Sequence, residues 1–309
     1  MILYGLGNIM ALTHEADDDL RNESVLINID GELFDRNLAK VSVFDSGFLL
    51  GDGVWEGLRL YEGKWAFWEE HFCRLFEAAR AIDLNIGITE SKLFSMLEQT
   101  REANKMHTHV HARVMVTRGK KKRPFQHPKL SIYGPTIVII MEHSAPVSDL
   151  ENGIRLASVP QVRGLPTSQD PKLNSHSKLN CVLACIQAEK AGADEALMLD
   201  PLGFVNTTNA CNFFIIRKNE VWTSTGDYCM NGITRKKVIE VCSNNAIPVF
   251  QRNFSLSEVY SADEAFITGT FGAQTFVSEI DKIKIGLGVM GPLTRKIKNY
   301  YMAMIENED

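Results

Sequence analysis

Two short segments combine glycine with hydroxyl side chains in the manner of an anion cradle. Gly232-Ile233-Thr234-Arg235 opens a predicted helix. The first N–H groups of a helix have no intrahelical acceptor, so together with a hydroxyl they can face a phosphate. Thr268-Gly269-Thr270 ends the strand-like run AFITGT with two hydroxyls around a flexible glycine, and Arg74 on an earlier helix can supply positive charge. Taken singly, the same residues read as an N-cap, a turn and a surface arginine. Ser175-x-x-Lys178 has the spacing in which a lysine takes a serine proton, but the companion SDN and KTG segments are missing. His107, His109 and His111 alternate along a presumed strand and would share one face, as ligands for zinc do, with exposed histidines the plainer reading and no fourth ligand nearby. Arg118 to Arg123 (RGKKKR) precedes Pro124 and reads as a solvated hairpin tip, with anion capture as its functional alternative. Gly286-x-Gly288-x-x-Gly291 has dinucleotide spacing, yet too little chain follows it for the rest of a βαβ unit, so it is read as a turn.

The elements that must hold these residues belong to a chain of 309 residues and 34.7 kDa, about twice the usual domain size. Hydrophobic residues at 45% and charged residues at 23% are globular proportions. A net charge of −5 argues against nucleic-acid or anionic-membrane partners and toward a small-molecule site. The six cysteines form no CxxC pair and are expected to be buried, reduced thiols in a cytoplasmic protein. The N-terminus has no basic n-region, so no signal peptide is expected. Ile137 to Met141 is far too short to span a membrane.

Val25 to Phe34 and Leu58 to Phe67 alternate around Asp30-Gly31 and Glu62-Gly63, predicting two hairpins. From Trp68 the period becomes helical, and Thr89 caps a second helix. Val110 to Arg118 and Thr136 to Glu142 read as strands. The polar stretch after them places a linker at 147–152, between an N-terminal domain at 1–146 and a C-terminal one at 153–309. The second half begins with a strand at Ile154 to Val159. A helix from about Ser175 is predicted to bury Leu179, Val182, Leu183 and Ile186 before Gly192 stops it. Further strands and two helices, at Thr234 to Ser243 and Leu293 to Ile305, follow without steady βαβ alternation, so the fold class is mixed α+β.

In this order, VSVFDSGFLLGDGVWEGLRLYEGKWAFWEEHFCRL, AGADEALMLDPLGFVNTTNACNFFI, NGITR and ADEAFITGTFGAQTFV resemble the class IV (fold type IV) pyridoxal-phosphate aminotransferases, above all the branched-chain group. The resemblance runs from about residue 25 to 300. It implies a two-domain homodimer with pyridoxal 5'-phosphate between the domains, amino-acid and 2-oxo-acid substrates, and no metal. By position it implies that Arg74, Ile233, Thr234 and Thr270 hold the cofactor phosphate and that Met230 packs on the ring. It also implies that Trp55, Arg113 and Arg123 contact the substrate.

Family members place the cofactor-bearing lysine at slightly different distances before the glycine of the AGADEA segment. Asn174 stands at the shortest spacing and Lys172 at the longest, which makes Lys172 the first candidate. Lys178, at the place of a tyrosine in relatives, is the runner-up, and a chain without such a lysine is the third possibility. Thr207 stands where the family carries a glutamate against the pyridine nitrogen, and a hydroxyl cannot supply that negative charge. The residues leave branched-chain, D-amino acid, (R)-amine and lyase chemistry open. They also leave open a non-catalytic relative that binds a phosphorylated ligand or a partner, and the histidine-face metalloprotein.

Overall fold

The computed structural model describes residues 18–145 and 153–308. Both the predicted linker at 147–152 and the N-terminal segment read for a signal peptide lie outside these residues, apart from the latter's last two positions. The chain divides into two compact units. Among the described residues, one unit holds 18–145, 170–180 and 303–308, and the other holds 153–169 and 181–302.

The first unit contains β1 (Leu26–Ile29), β2 (Glu32–Asp35), α1 (Ser46–Leu50), β3 (Gly53–Tyr61), β4 (Lys64–Trp65), α2 (Trp68–Ala81), α3 (Glu90–Ala103), β5 (Val110–Thr117) and β6 (Thr136–His143). Both predicted hairpins form, and the six strands make one antiparallel sheet in the order β2-β1-β6-β5-β3-β4. Period-two alternation sorts β3 cleanly. Val54, Leu58 and Leu60 join Val110, Ala112, Val114, Ile139 and Met141 in a core covered by Phe72, Leu75 and Leu93 of α2 and α3. Thr89 caps α3, its side chain accepting from the Lys92 N–H at 3.2 Å. Trp55, Gly57, Arg59 and Tyr61 occupy the other face.

The second unit contains β7 (Ile154–Val159), α4 (Pro166–Gln169), α5 (Leu179–Ala191), β8 (Glu195–Leu199), β9 (Val205–Thr208), β10 (Asn212–Arg217), β11 (Glu220–Thr223), α6 (Ile233–Asn244), β12 (Val249–Gln251), α7 (Leu256–Tyr260), β13 (Glu264–Gly269), β14 (Ala273–Ile280), β15 (Ile283–Lys284) and α8 (Pro292–Glu306), although the start of α5 and the end of α8 group with the first unit. Its sheet runs β12-β11-β10-β13-β14-β7-β8-β9, and β9 pairs back onto β10, so six strands close on themselves. Phe213, Ile215, Ile267, Leu197 and Val277 share one apolar cluster. The mixed α+β class is as expected.

Three expectations are corrected. Helix α5 does not bury the residues its apolar pattern suggested: Leu179, Val182, Leu183 and Ile186 are 70%, 48%, 40% and 40% exposed. Ala184 and Ala188 face the sheet instead, because small side chains let the helix lie close to Ala157, Ala196 and Met198. The three histidines do not share a strand face. β5 begins only at Val110, and His109 has left-handed backbone (φ 53), which breaks the period-two pattern. No group of metal-ligating side chains occurs among the described residues. Of the cysteines, all free, Cys211, Cys229 and Cys242 are buried, while Cys73 and Cys185 are exposed on the outer sides of their helices. The Gly286 to Gly291 segment is a turn, as expected.

Candidate active site

In the first unit the sheet face away from α2 and α3 carries Trp55, Arg59, His111 and Arg113. Gly57 stands opposite Arg113 and Arg59 opposite His111 in the β3–β5 register. Gly57 leaves room for the His111 ring on this face; a Cβ there would meet His111 Nε2 at 3.0 Å. The Arg113 guanidinium lies 3.7 Å from the Trp55 ring centroid, and burial lowers its pKa. Residues 174–176 run alongside the start of β3. The Trp55 N–H donates to the Asn174 carbonyl (3.0 Å), the His176 N–H to the Gly53 carbonyl (2.9 Å) and Trp55 Nε1–H to the Ser175 carbonyl (3.2 Å). This pairing brings Lys178 Nζ to 5.7 Å from the Trp55 ring, so Lys178 and Arg113 flank one indole. Lys172 is elsewhere, exposed, with its N–H donating to Asp170 Oδ1 at 2.9 Å. Arg123 is also exposed, on the loop after β5. In that basic run Arg118 is committed to Asp52, and buried Lys121 donates to the His127 carbonyl and Ser131 Oγ, both at 3.3 Å.

Arg74 on α2 meets Glu56, which points into the core side of β3. Arg74 Nε and Nη2 donate to the two Glu56 oxygens at 2.7 Å each, and His71 Nδ1 lies 2.7 Å from Oε2. Burial would raise the Glu56 pKa, but Arg74 and His71 outweigh it and hold the carboxyl below its ordinary value. Burial also lowers the pKa of Arg59, with Tyr61 partly offsetting the shift. The Glu56 contacts and Arg59 were missed in the sequence, although the alternation of VWEGLRLYEG already assigns Arg59 and Trp55 to one face and Glu56 to the other.

In the second unit the residues read as an anion cradle lie at the start of α6 and just past β13. Helix α6 starts at Gly232 without any side-chain cap, and its first i to i−4 bond is that of the Lys236 N–H, so the N–H groups of Ile233, Thr234 and Arg235 have no intrahelical acceptor. Thr234 is buried and Thr270 half-buried just past β13, while Met230 is half-buried in the loop before the helix. Thr207 on β9 is buried, and its hydroxyl donates to the Cys211 carbonyl at 2.7 Å. With its proton so engaged, the Thr207 oxygen is left as an acceptor. Thr207, Asn212, Thr268 and Gln274 lie directly opposite one another across β9, β10, β13 and β14, a row of polar side chains on one sheet face. Of these, Asn212 and Gln274 were not foreseen.

Residues 53–280 match the amino-transferase class IV family. This chain belongs to that family. The class IV chain is 39% identical over 285 residues to a branched-chain-amino-acid aminotransferase-like protein of Arabidopsis thaliana, covering 92% of itself and 51% of the relative. It spans about half the length of that protein and of a second Arabidopsis relative. It is also 31% identical over 281 residues to a D-alanine aminotransferase of Staphylococcus haemolyticus, covering 90% of itself and 97% of the relative. Among solved structures, a branched-chain amino acid aminotransferase complexed with N-(5'-phosphopyridoxyl)-L-glutamate superimposes with a TM-score of 0.84 at 26% identity, over 91% of this chain and 94% of that one.

Proposed function

We propose that the chain is a pyridoxal-phosphate-dependent aminotransferase that moves an amino group between a branched-chain-like amino acid and a 2-oxo acid, working as a cytoplasmic homodimer. The observation that carries this reading is the uncapped amino end of α6 in a chain whose residues 53–280 match the class IV family. The residues at the start of α6 suit the phosphate end of such a cofactor: three N–H groups and the hydroxyls of Thr234 and Thr270. Met230 suits the ring. A neutral Thr207 stands where the family carries a carboxylate, and with its proton given to the Cys211 carbonyl it can only accept from a protonated ring nitrogen, without stabilising that charge. When bound, the cofactor supplies an electron sink for cleavage of a bond at the substrate Cα.

Lys178 is the lysine we favour to carry the cofactor and to move the Cα proton on its Nζ, because it is half-buried beside Trp55 and Arg113. Lys172, better placed by spacing, is the alternative. Arg113 holds the substrate carboxylate, since its guanidinium is partly desolvated and lies over the Trp55 ring. Arg123 approaches the same substrate from its loop. The likeness to D-alanine aminotransferases supports a second reading, a D-amino acid donor.

Reduction with borohydride in the presence of pyridoxal phosphate, followed by peptide mapping, tests the assignment. Label on Lys178 is expected. Label on Lys172 transfers the role to that residue, and a protein that retains cofactor but takes no label anywhere is a non-catalytic relative.

A further inference from the structure

Helix α6 begins on a residue that cannot cap it. Gly232 has no side chain, and the loop before it, Tyr228 to Asn231, belongs to no helix or strand. Two asparagines on neighbouring strands hold that loop. Asn206 of β9 donates from Nδ2 to the Tyr228 carbonyl at 2.8 Å. Asn212 of β10 donates from Nδ2 to the Met230 carbonyl at 2.9 Å and accepts the Gly232 N–H on Oδ1 at 3.2 Å. Asn212 is buried, so no bulk water replaces these bonds. A Cβ at position 232 would meet Asn212 Oδ1 at 2.3 Å, which makes the approach possible only with glycine there. Opposite Asn212, Thr268 is buried with a hydroxyl that has no partner among the described residues, two positions before Thr270.

We propose that Asn212 is a positioning residue for the anion-binding end of α6. Its amide supplies one donor and one acceptor to backbone groups two residues apart. It consumes the N–H of Gly232 and leaves those of Ile233, Thr234 and Arg235 aligned and open. Aspartate keeps the acceptor but sets a carboxylate against the Met230 carbonyl, and alanine leaves both backbone groups unpaired. Unlike a serine or aspartate at the N-cap, which would occupy the helix N–H groups itself, Asn212 fixes the helix from one residue earlier.

The inference rests on the reading of α6 as a phosphate cradle, and the test separates the two. Apo-protein is titrated with pyridoxal phosphate and with pyridoxal, which lacks the phosphate, and binding is followed by absorbance and by quenching of tryptophan fluorescence. Wild type is expected to prefer the phosphorylated form by at least about a hundredfold, from several charge-assisted bonds. Asn212→Ala should weaken pyridoxal phosphate by about tenfold and leave pyridoxal within about twofold. Asn212→Asp, nearly isosteric, should do the same and serves if the alanine variant does not fold. Equal affinity of wild type for both compounds overturns the cradle reading itself. A wild type that discriminates, with variants that keep its ratio or lose both compounds equally, overturns the role of Asn212.

Discussion

His176 shows how one half-buried side chain ties stability to pH. Burial first, and then the charge of Arg113, lower its pKa from 6.5 to about 4, with Asp45 partly opposing them. Its Nε2 is buried with no partner among the described residues, which suits a neutral ring. A base with a depressed folded pKa is protonated first in the unfolded chain, so stability falls as pH drops from about 6.5 through about 4. The expected loss between pH 7 and 5 is about 2 kcal/mol, read from urea midpoints, and His176→Gln should flatten that slope. A slope unchanged in the variant would assign the pH dependence to other groups. Glu56 works in the same sense, its folded pKa also held below the ordinary value, but as a buried carboxylate kept ionised by Arg74 and His71. Glu56→Gln leaves the Arg74 charge uncompensated and should cost about 3 kcal/mol of unfolding free energy. A loss below about 1 kcal/mol would show that solvent already satisfies Arg74.

At the level of elements, the loop after β5 is better built than its basic composition suggests. Arg118 forms a two-oxygen contact with Asp52 and also donates to the carbonyls of Ile82 and Asp83, while Lys121 turns inward. Only part of RGKKKR is therefore a solvated tip, and Arg123 is displayed from an anchored frame. Lys121→Met removes the ammonium but keeps the buried stem. It should speed trypsin cleavage after Lys122 by about an order of magnitude while the melting temperature moves by a few degrees at most. Unchanged cleavage would mean that the Arg118–Asp52 pair alone holds the loop. The hairpins, α2 and α3 were legible because their turn residues, periodicity and caps act locally. The exposed side of α5 was not, since an apolar helix can be buried by its own chain or by another.

That apolar side bears on the whole molecule. Leu179, Val182, Leu183 and Ile186 recur at helical spacing on one side of α5 and stay exposed in the single chain. We expect a second copy to cover them, so that sedimentation gives about twice 34.7 kDa. Leu183→Glu with Ile186→Glu should shift the protein toward monomer; a stable dimer in that variant would place the contact elsewhere. Among the described residues no helix is long and apolar enough to cross a membrane.

The sequence by itself determined the α+β class, the two hairpins and the glycine that opens α6, and its ordered motifs pointed to the class IV family. These rest on local chemistry: period-two alternation, N-caps, and glycine where a side chain would collide. Tertiary structure alone decided which lysine stands beside Trp55, which arginine is matched by Glu56, and that Asn212 fixes the α6 loop. Lys172 and Lys178 differ by six positions in sequence. Only the pairing of residues 174–176 with β3 turns one toward the indole and leaves the other in solvent. Contacts of that kind join residues more than a hundred positions apart. No local periodicity encodes them, because their free energy depends on strands that meet only in the folded chain.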